Sequence, residues 1–248
     1  MNLYKTRYTV LADIYEQLMS KVNYDTWAEY IYDIVKNEVS HDTKVLELAG
    51  GSGTISFYLQ KYFYNYTLTD KSFFMLSKAE DFKSAIVCCD MQFLPFKEKF
   101  GLIISTFDSV NYLITKKSLT NLFREINAIL TEDGIFTFDV SLYRNSVPLI
   151  NERIIEATHK TFKYKQISKF EVENRIHTNI FKVITSEGNE ITEIHRQKIW
   201  EFEEYFEVIE KSGLYVQDCL ENFTMKKGKP TSKRVQFIVK KSKNHVIV

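Results

Sequence analysis

The stretch Val45 to Ser56, VLELAGGSGTIS, ends an apolar run with an acid, Glu47, and follows it with small residues from Ala49 to Gly53. Glycines at 50, 51 and 53 permit left-handed backbone and close approach of a ligand to bare main chain, and the helix that follows offers unpaired N–H groups. Two more acids close short apolar runs, Asp70 in YTLTD and Asp90 in SAIVCCD. A carboxylate at a strand end beside such a turn can accept both hydroxyls of a ribose. Dinucleotide and phosphate readings fit less well. The pattern G-x-G-x-x-G would need glycine where Ser56 stands, which argues against a nicotinamide-dependent oxidoreductase, and the Gly-Lys-Ser/Thr ending of a P-loop is absent.

Several elements must position these acids. DTWAEYIYDIVKNEV repeats apolar residues at helical spacing, with Asp25 and Thr26 as expected caps. KVLELA then reads as a strand, TISFYLQKYF as a helix, YTLTD as a strand, FFMLSKAEDF as a helix, and SAIVCCD and FGLIIST as strands. SLTNLFREINAIL is a helix that Gly134 is expected to break before the strand IFTFDV. This alternation predicts an α/β fold with a mainly parallel sheet covered by helices on both faces.

From about Lys160 to Trp200 the texture changes to three polar–apolar alternating segments, with SEGNE as a hairpin turn between the last two. Helical spacing returns in EEYFEVIEKSG, with Gly213 as its cap, and the strands LYVQDCLENF and RVQFIVKK follow. The expected division is a core with an amino-terminal helical lid over 1–145, an antiparallel insertion over 146–200, and completion of the core over 201–248.

E-L-A-G-G-S-G resembles the acidic-x-G-x-G-x-G turn of class I S-adenosylmethionine-dependent methyltransferases, with Ala49 replacing the first glycine. TDKSFFMLSKA is similar to that family's D-x-S-x-x-M-L stretch, CCDMQFLPF to its D-[MAL]-x-x-L-P-[FL] motif, and FGLIISTFDSVNYL to the following strand and loop, with Gly101 in place of an aspartate. The four stretches cover about residues 45–140. YTVLADIYEQLM resembles the opening of a small-molecule subgroup that includes N,N-dimethyltransferases of nucleotide-linked aminosugars, with Glu16 in place of aspartate.

The resemblance implies a Rossmann-like fold with a seven-stranded sheet and S-adenosylmethionine as cofactor. Glu47, Ala49, Gly50, Gly51, Ser52 and Gly53 would surround the methionine end of the cofactor. Asp70, Lys71 and Ser72 would meet the ribose, and Asp90 and Met91 the adenine. Tyr8 and Tyr15 would cover the cofactor. Thr106, Phe107, Asp108, Asn111 and Tyr112 would floor the acceptor pocket, and His195, in the similar pattern E-x-H-x-[QR]-x-[YW], would roof it.

Methyl transfer from a sulfonium is an in-line displacement, so an enzyme chiefly aligns the partners and excludes water. An amine or phenol acceptor also needs a base, for which His195 is suited, while Asp108 and Tyr112 are rivals for orienting the acceptor. His41, His159, His177 and His245 have no comparable context.

Net charge is +1, 44% of residues are hydrophobic and 26% are charged, so a soluble globular chain is expected, with no general attraction for nucleic acid or membrane. Three cysteines, two adjacent, give neither a disulfide framework nor metal-ligand spacing and fit the cytoplasm. Alternatives are an RNA or protein methyltransferase, favoured only by the basic runs MKKGKPTSKR and KKSKNH, and a cofactor-binding protein without turnover.

Overall fold

The computed structural model describes residues 12, 15, 18–79, 84–158, 162–185, 188 and 190–242. Five parallel strands, β1 (Lys44–Leu48), β2 (Asn65–Asp70), β3 (Ala85–Cys88), β4 (Phe100–Ser105) and β5 (Leu130–Ser141), form the body of the main sheet. β10 (Leu214–Glu221) and β11 (Arg234–Lys241) add two antiparallel strands at one edge, giving the order β10-β11-β5-β4-β1-β2-β3. Strand order reverses between β1 and β4, and their carboxyl ends open a crevice there.

Central strands buried on both faces carry apolar residues at successive positions. Val45, Leu102 and Ile104 meet Trp27, Ile31 and Val35 of α1 (Tyr24–Val35) and Ile55 and Leu59 of α2 (Thr54–Leu59). On the other face Leu46, Ile103 and Phe136 join a core with Leu122, Phe123 and Ile126 of α4 (Lys116–Ile129) and Tyr205 and Ile209 of α6 (Phe202–Lys211). Two short helices, α3 (Phe73–Leu76) and α5 (Tyr143–Ser146), stand at the crevice.

Between β5 and α6 the chain builds a separate antiparallel sheet of β6 (Arg153–Thr158), β7 (Phe162–Glu171), β8 (Ile176–Thr185) and β9 (Glu190–Lys198). Asn111, in a 3-10 turn over Ser109–Tyr112, anchors it. Its side-chain amide donates to the carbonyl of Lys198 (2.8 Å) and accepts from the amide of Ser141 (3.0 Å). Trp200 Nε1 adds a bond to the carbonyl of Leu113 (3.1 Å).

Four local expectations need correction. Asn23, not Asp25 or Thr26, caps α1 by accepting the amide of Thr26 (3.1 Å). The helix expected over FFMLSKAEDF is four residues long where described, and residues 80–83 lie outside the described part. α4 passes directly into β5 at Leu130, so Gly134 breaks no helix; it lies in an irregular stretch between the pairings of Leu130 and Ile135. The insertion has four strands rather than three. β6 escapes the alternation rule because it is exposed along nearly its whole length.

Candidate active site

A cavity of about 1090 Å³ lies between the carboxyl ends of β1, β2 and β4 and the inner face of the four-stranded sheet. That exceeds the space one small ligand needs. Its two halves differ in chemistry.

In the first half the turn after β1 folds as the small residues require. Gly50 is packed so closely that a Cβ would stand 2.4 Å from Leu68 Cδ1 and 2.9 Å from Glu47 Cδ. Ala49, Gly51 and Gly53 all have positive φ, at 53°, 61° and 74°. Left-handed backbone costs an alanine about 1–2 kcal/mol, partly offset because glycine loses more freedom on folding. Ala49→Gly is therefore expected to raise stability by about 0.5–1 kcal/mol, readable as a higher denaturant midpoint at unchanged m-value.

Glu47 is fully buried. Its Oε2 accepts from the hydroxyls of Ser56 and Tyr66 (2.7 Å to Tyr66), whereas Oε1, also buried, has no partner among the described residues. Burial raises its pKa, so the site favours a cationic ligand group beside it. Asp70 binds the turn: Oδ2 accepts from Gly51 N (2.9 Å) and Oδ1 from Ser72 N (2.7 Å). Ser72 caps α3 by accepting the amide of Met75 (3.3 Å), and Ser52 shares a hydroxyl contact with Thr54 (3.1 Å).

Asp90 accepts from Gln92 N (3.0 Å) and pairs with Lys71 Nζ (2.6 Å). Burial alone would raise its pKa, but Lys71 and Gln92 outweigh that and lower it, so Asp90 is ionised near neutrality. Met91 lines the cavity beside it and packs on the core. Tyr15 also lines the cavity, and burial first, then neighbouring acids and phenols, keep its hydroxyl protonated. Tyr8 and Glu16 lie outside the described residues.

The second half begins at Thr106, Phe107 and Asp108. Phe107 and Asp108 are both left-handed, with φ of 57° and 47°. Ring packing of Phe107 on Trp27 (centroids 4.1 Å apart) and a bond from Asp108 N to Asp139 Oδ2 (3.0 Å) hold them there. Both carboxylate oxygens of Asp108 are engaged, Oδ1 by Arg234 Nη2 (3.1 Å) and Oδ2 by Ser141 Oγ (2.9 Å). Asp108 was expected to hold an acceptor ammonium or take its proton. It lines the cavity, and its carboxylate is tied there to Arg234, which also pairs with Asp139. Asn111 is an anchor rather than part of the floor.

Tyr112 and His195 do meet: the phenol oxygen is 3.2 Å from Nδ1 of the imidazole, and both line the cavity. Around them the sheet presents alternate positions of β7, β8 and β9, namely Gln166, Ser168, His177, Asn179, Phe181 and Gln197. Asn179 Oδ1 accepts from Ser168 Oγ (2.5 Å) and Gln166 Nε2 (3.2 Å), and Gln197 Nε2 reaches the carbonyl of Asp108 (3.3 Å). Burial lowers the pKa of His177, so it stays neutral at pH 7. Sequence reasoning missed this platform; its only signal is the two-residue period of polar residues along each strand.

The first half fits S-adenosylmethionine. An unpartnered buried carboxylate oxygen of Glu47, a turn of small residues with little side chain to obstruct a ligand, and the carboxylates of Asp70 and Asp90 lie along one wall of that half. Residues 45–134 match the family model of a methyltransferase domain. The domain match and the fold support a class I S-adenosylmethionine-dependent methyltransferase. Over 248 aligned residues the chain is 27% identical to YqeM of Bacillus subtilis, whose name proposes a methyltransferase, across 96% of this chain and 99% of that protein. It is similar to a crystal structure of an S-adenosylmethionine-dependent methyltransferase from Clostridium acetobutylicum, with 25% identity, TM-score 0.82, and coverage of 95% and 99%. The fold also matches the sugar N-methyltransferase KedS8 from Streptoalloteichus, at 14% identity, TM-score 0.76, and coverage of 96% of each chain. Among the described residues no helix is long and apolar enough to cross a membrane.

Proposed function

We propose that the chain moves a methyl group from S-adenosylmethionine to a nitrogen or oxygen of a small molecule held against the four-stranded sheet. One observation carries this reading: the cavity that contains Glu47, Asp70 and Asp90 continues without a break to Tyr112 and His195. Bound, the cofactor supplies an electrophilic methyl group on sulfonium.

Glu47 and the turn Ala49–Gly53 hold its amino-acid end, Asp70, Lys71 and Ser72 its ribose side, Asp90 and Met91 its adenine, and Tyr15, Thr106 and Phe107 enclose it. The buried floor and roof exclude water from the line of attack. Amide and hydroxyl groups of Gln166, Ser168, Asn179 and Gln197 orient a polar acceptor, and the histidine–phenol pair takes its proton. Boundaries near 145 and 200 then separate cofactor binding from acceptor choice. Three free cysteines suit the cytoplasm.

The RNA reading has one observation in its favour. Arg144 is shared by this cavity and a neighbouring cleft lined by Lys226, Lys227 and Lys229. Incubating the protein with methyl-labelled cofactor and a cell extract separated into small-molecule, RNA and protein fractions distinguishes the readings. Label is expected in the small-molecule fraction. Label confined to RNA or protein overturns the acceptor class, and cofactor binding without label in any fraction leaves a non-catalytic binding protein.

A further inference from the structure

Glu193 is a carboxylate only 6% exposed, two residues before His195 on β9, so both side chains leave the same face of the strand. Its cross-strand partner is Phe181. An acid in such a place costs free energy unless it is paired. Its Oε2 lies 3.4 Å from Nε2 of His195, itself 2% exposed, while the other ring nitrogen faces Tyr112 at 3.2 Å. Phe181 meets the imidazole edge to face at 5.5 Å and limits its rotation.

The two nitrogens therefore have different neighbours: an acceptor-only carboxylate on one side and a hydroxyl, able to donate, on the other. Nε2 protonated and Nδ1 bare is the tautomer that suits both neighbours, although at 3.4 Å the Nε2–Oε2 pair is an ion-pair contact and not a formed hydrogen bond.

We infer that Glu193 is a positioning residue that fixes His195 with its proton on Nε2, so that Nδ1 receives the acceptor's proton through the hydroxyl of Tyr112. The inference rests on the transfer reading above. For an amine acceptor, the new nitrogen–carbon bond replaces the carbon–sulfur bond, whose electron pair stays on sulfur. The nitrogen–hydrogen bond then breaks, its proton passes to the Tyr112 oxygen, and the hydroxyl's own proton passes to Nδ1. His195 becomes an imidazolium beside the carboxylate of Glu193. Glu193 itself touches no reactant.

The test needs no knowledge of the acceptor. Full-length protein with histidine labelled by nitrogen-15, saturated with S-adenosylhomocysteine, is examined by NMR for its ring N–H signals, with His195→Gln supplying the assignment. A downfield N–H proton on Nε2 of His195 is expected. It should move upfield in Glu193→Gln, where the partner is neutral, and disappear into exchange in Glu193→Leu. A proton on Nδ1 in the unaltered protein overturns the inference, as does a signal that both variants leave unchanged. The unaltered protein decides the first point even if a variant fails to fold. Calorimetry of S-adenosylhomocysteine binding separates the two levels: failure of the unaltered protein to bind defeats the transfer reading, whereas normal binding with the wrong tautomer defeats only the role of Glu193.

Discussion

Asp70→Ala is expected to raise the Kd for S-adenosylhomocysteine by about 100-fold or more, with the fold retained. The carboxylate has two tasks. It draws the amides of Gly51 and Ser72 toward the end of β2, which sets the turn, and it lines the cavity. Hydrogen bonds to a charged group contribute about 1.5–3 kcal/mol each, so losing the ordered turn and the ligand contacts together costs about 3 kcal/mol, or two decades of affinity. Asp70→Asn keeps one acceptor oxygen and should lie between the two. Isothermal titration calorimetry reads both, with circular dichroism verifying the fold. A Kd for Asp70→Ala within threefold of the unaltered protein would remove the proposed ledge.

Arg234→Met should have the largest effect on stability. Arg234 pairs with fully buried Asp139 and with Asp108 (3.1 Å), and deleting it leaves two carboxylates facing each other without a cation. Breaking a buried pair by removing one partner costs about 3–5 kcal/mol. For a chain of this size that is a fall in Tm of about 10 °C.

The sign with pH follows from Asp139. Burial raises its pKa to about 6 even though Arg234 opposes the shift, against about 3.9 in an unfolded chain. The folded state thus holds the proton more tightly, a stabilising contribution present below about pH 4 and lost as pH rises through about 6. Without Arg234 the pKa rises further. The stability gap between Arg234→Met and the unaltered protein should therefore be widest near pH 8 and narrow toward pH 5. A gap independent of pH would mean that Asp139 does not titrate in this window.

The parts of the site legible in the sequence were those whose signals are local. Glu47 and the small residues after it sit within seven positions, and Asp70 and Asp90 each close an apolar run that can only be a short strand. The network around Asp108 was hidden for the opposite reason. Arg234 lies 126 residues from Asp108 and 95 from Asp139, and only the pairing of β11 with β5 brings them together. Asp108 in isolation looks like a free acid at a cavity mouth; it does line the cavity, and register in addition ties it to Arg234. His195 stood out through its E-x-H spacing, but its contact with Tyr112 crosses from β9 to a 3-10 turn and has no local trace. β6 left no trace because exposure along its length removes the apolar rhythm.

The attachment of the upper sheet through Asn111 and Trp200 has an evolutionary consequence. Those anchors hold the backbone near β9, while the polar platform is made of side chains at alternating positions on a sheet separate from the one that carries Glu47 and Asp70. If these side chains hold the acceptor as proposed, exchanging Gln166, Ser168, His177 or Asn179 should retune what is methylated and leave the donor's grip intact. Descendants of one such scaffold can diverge in chemistry by repainting a single surface.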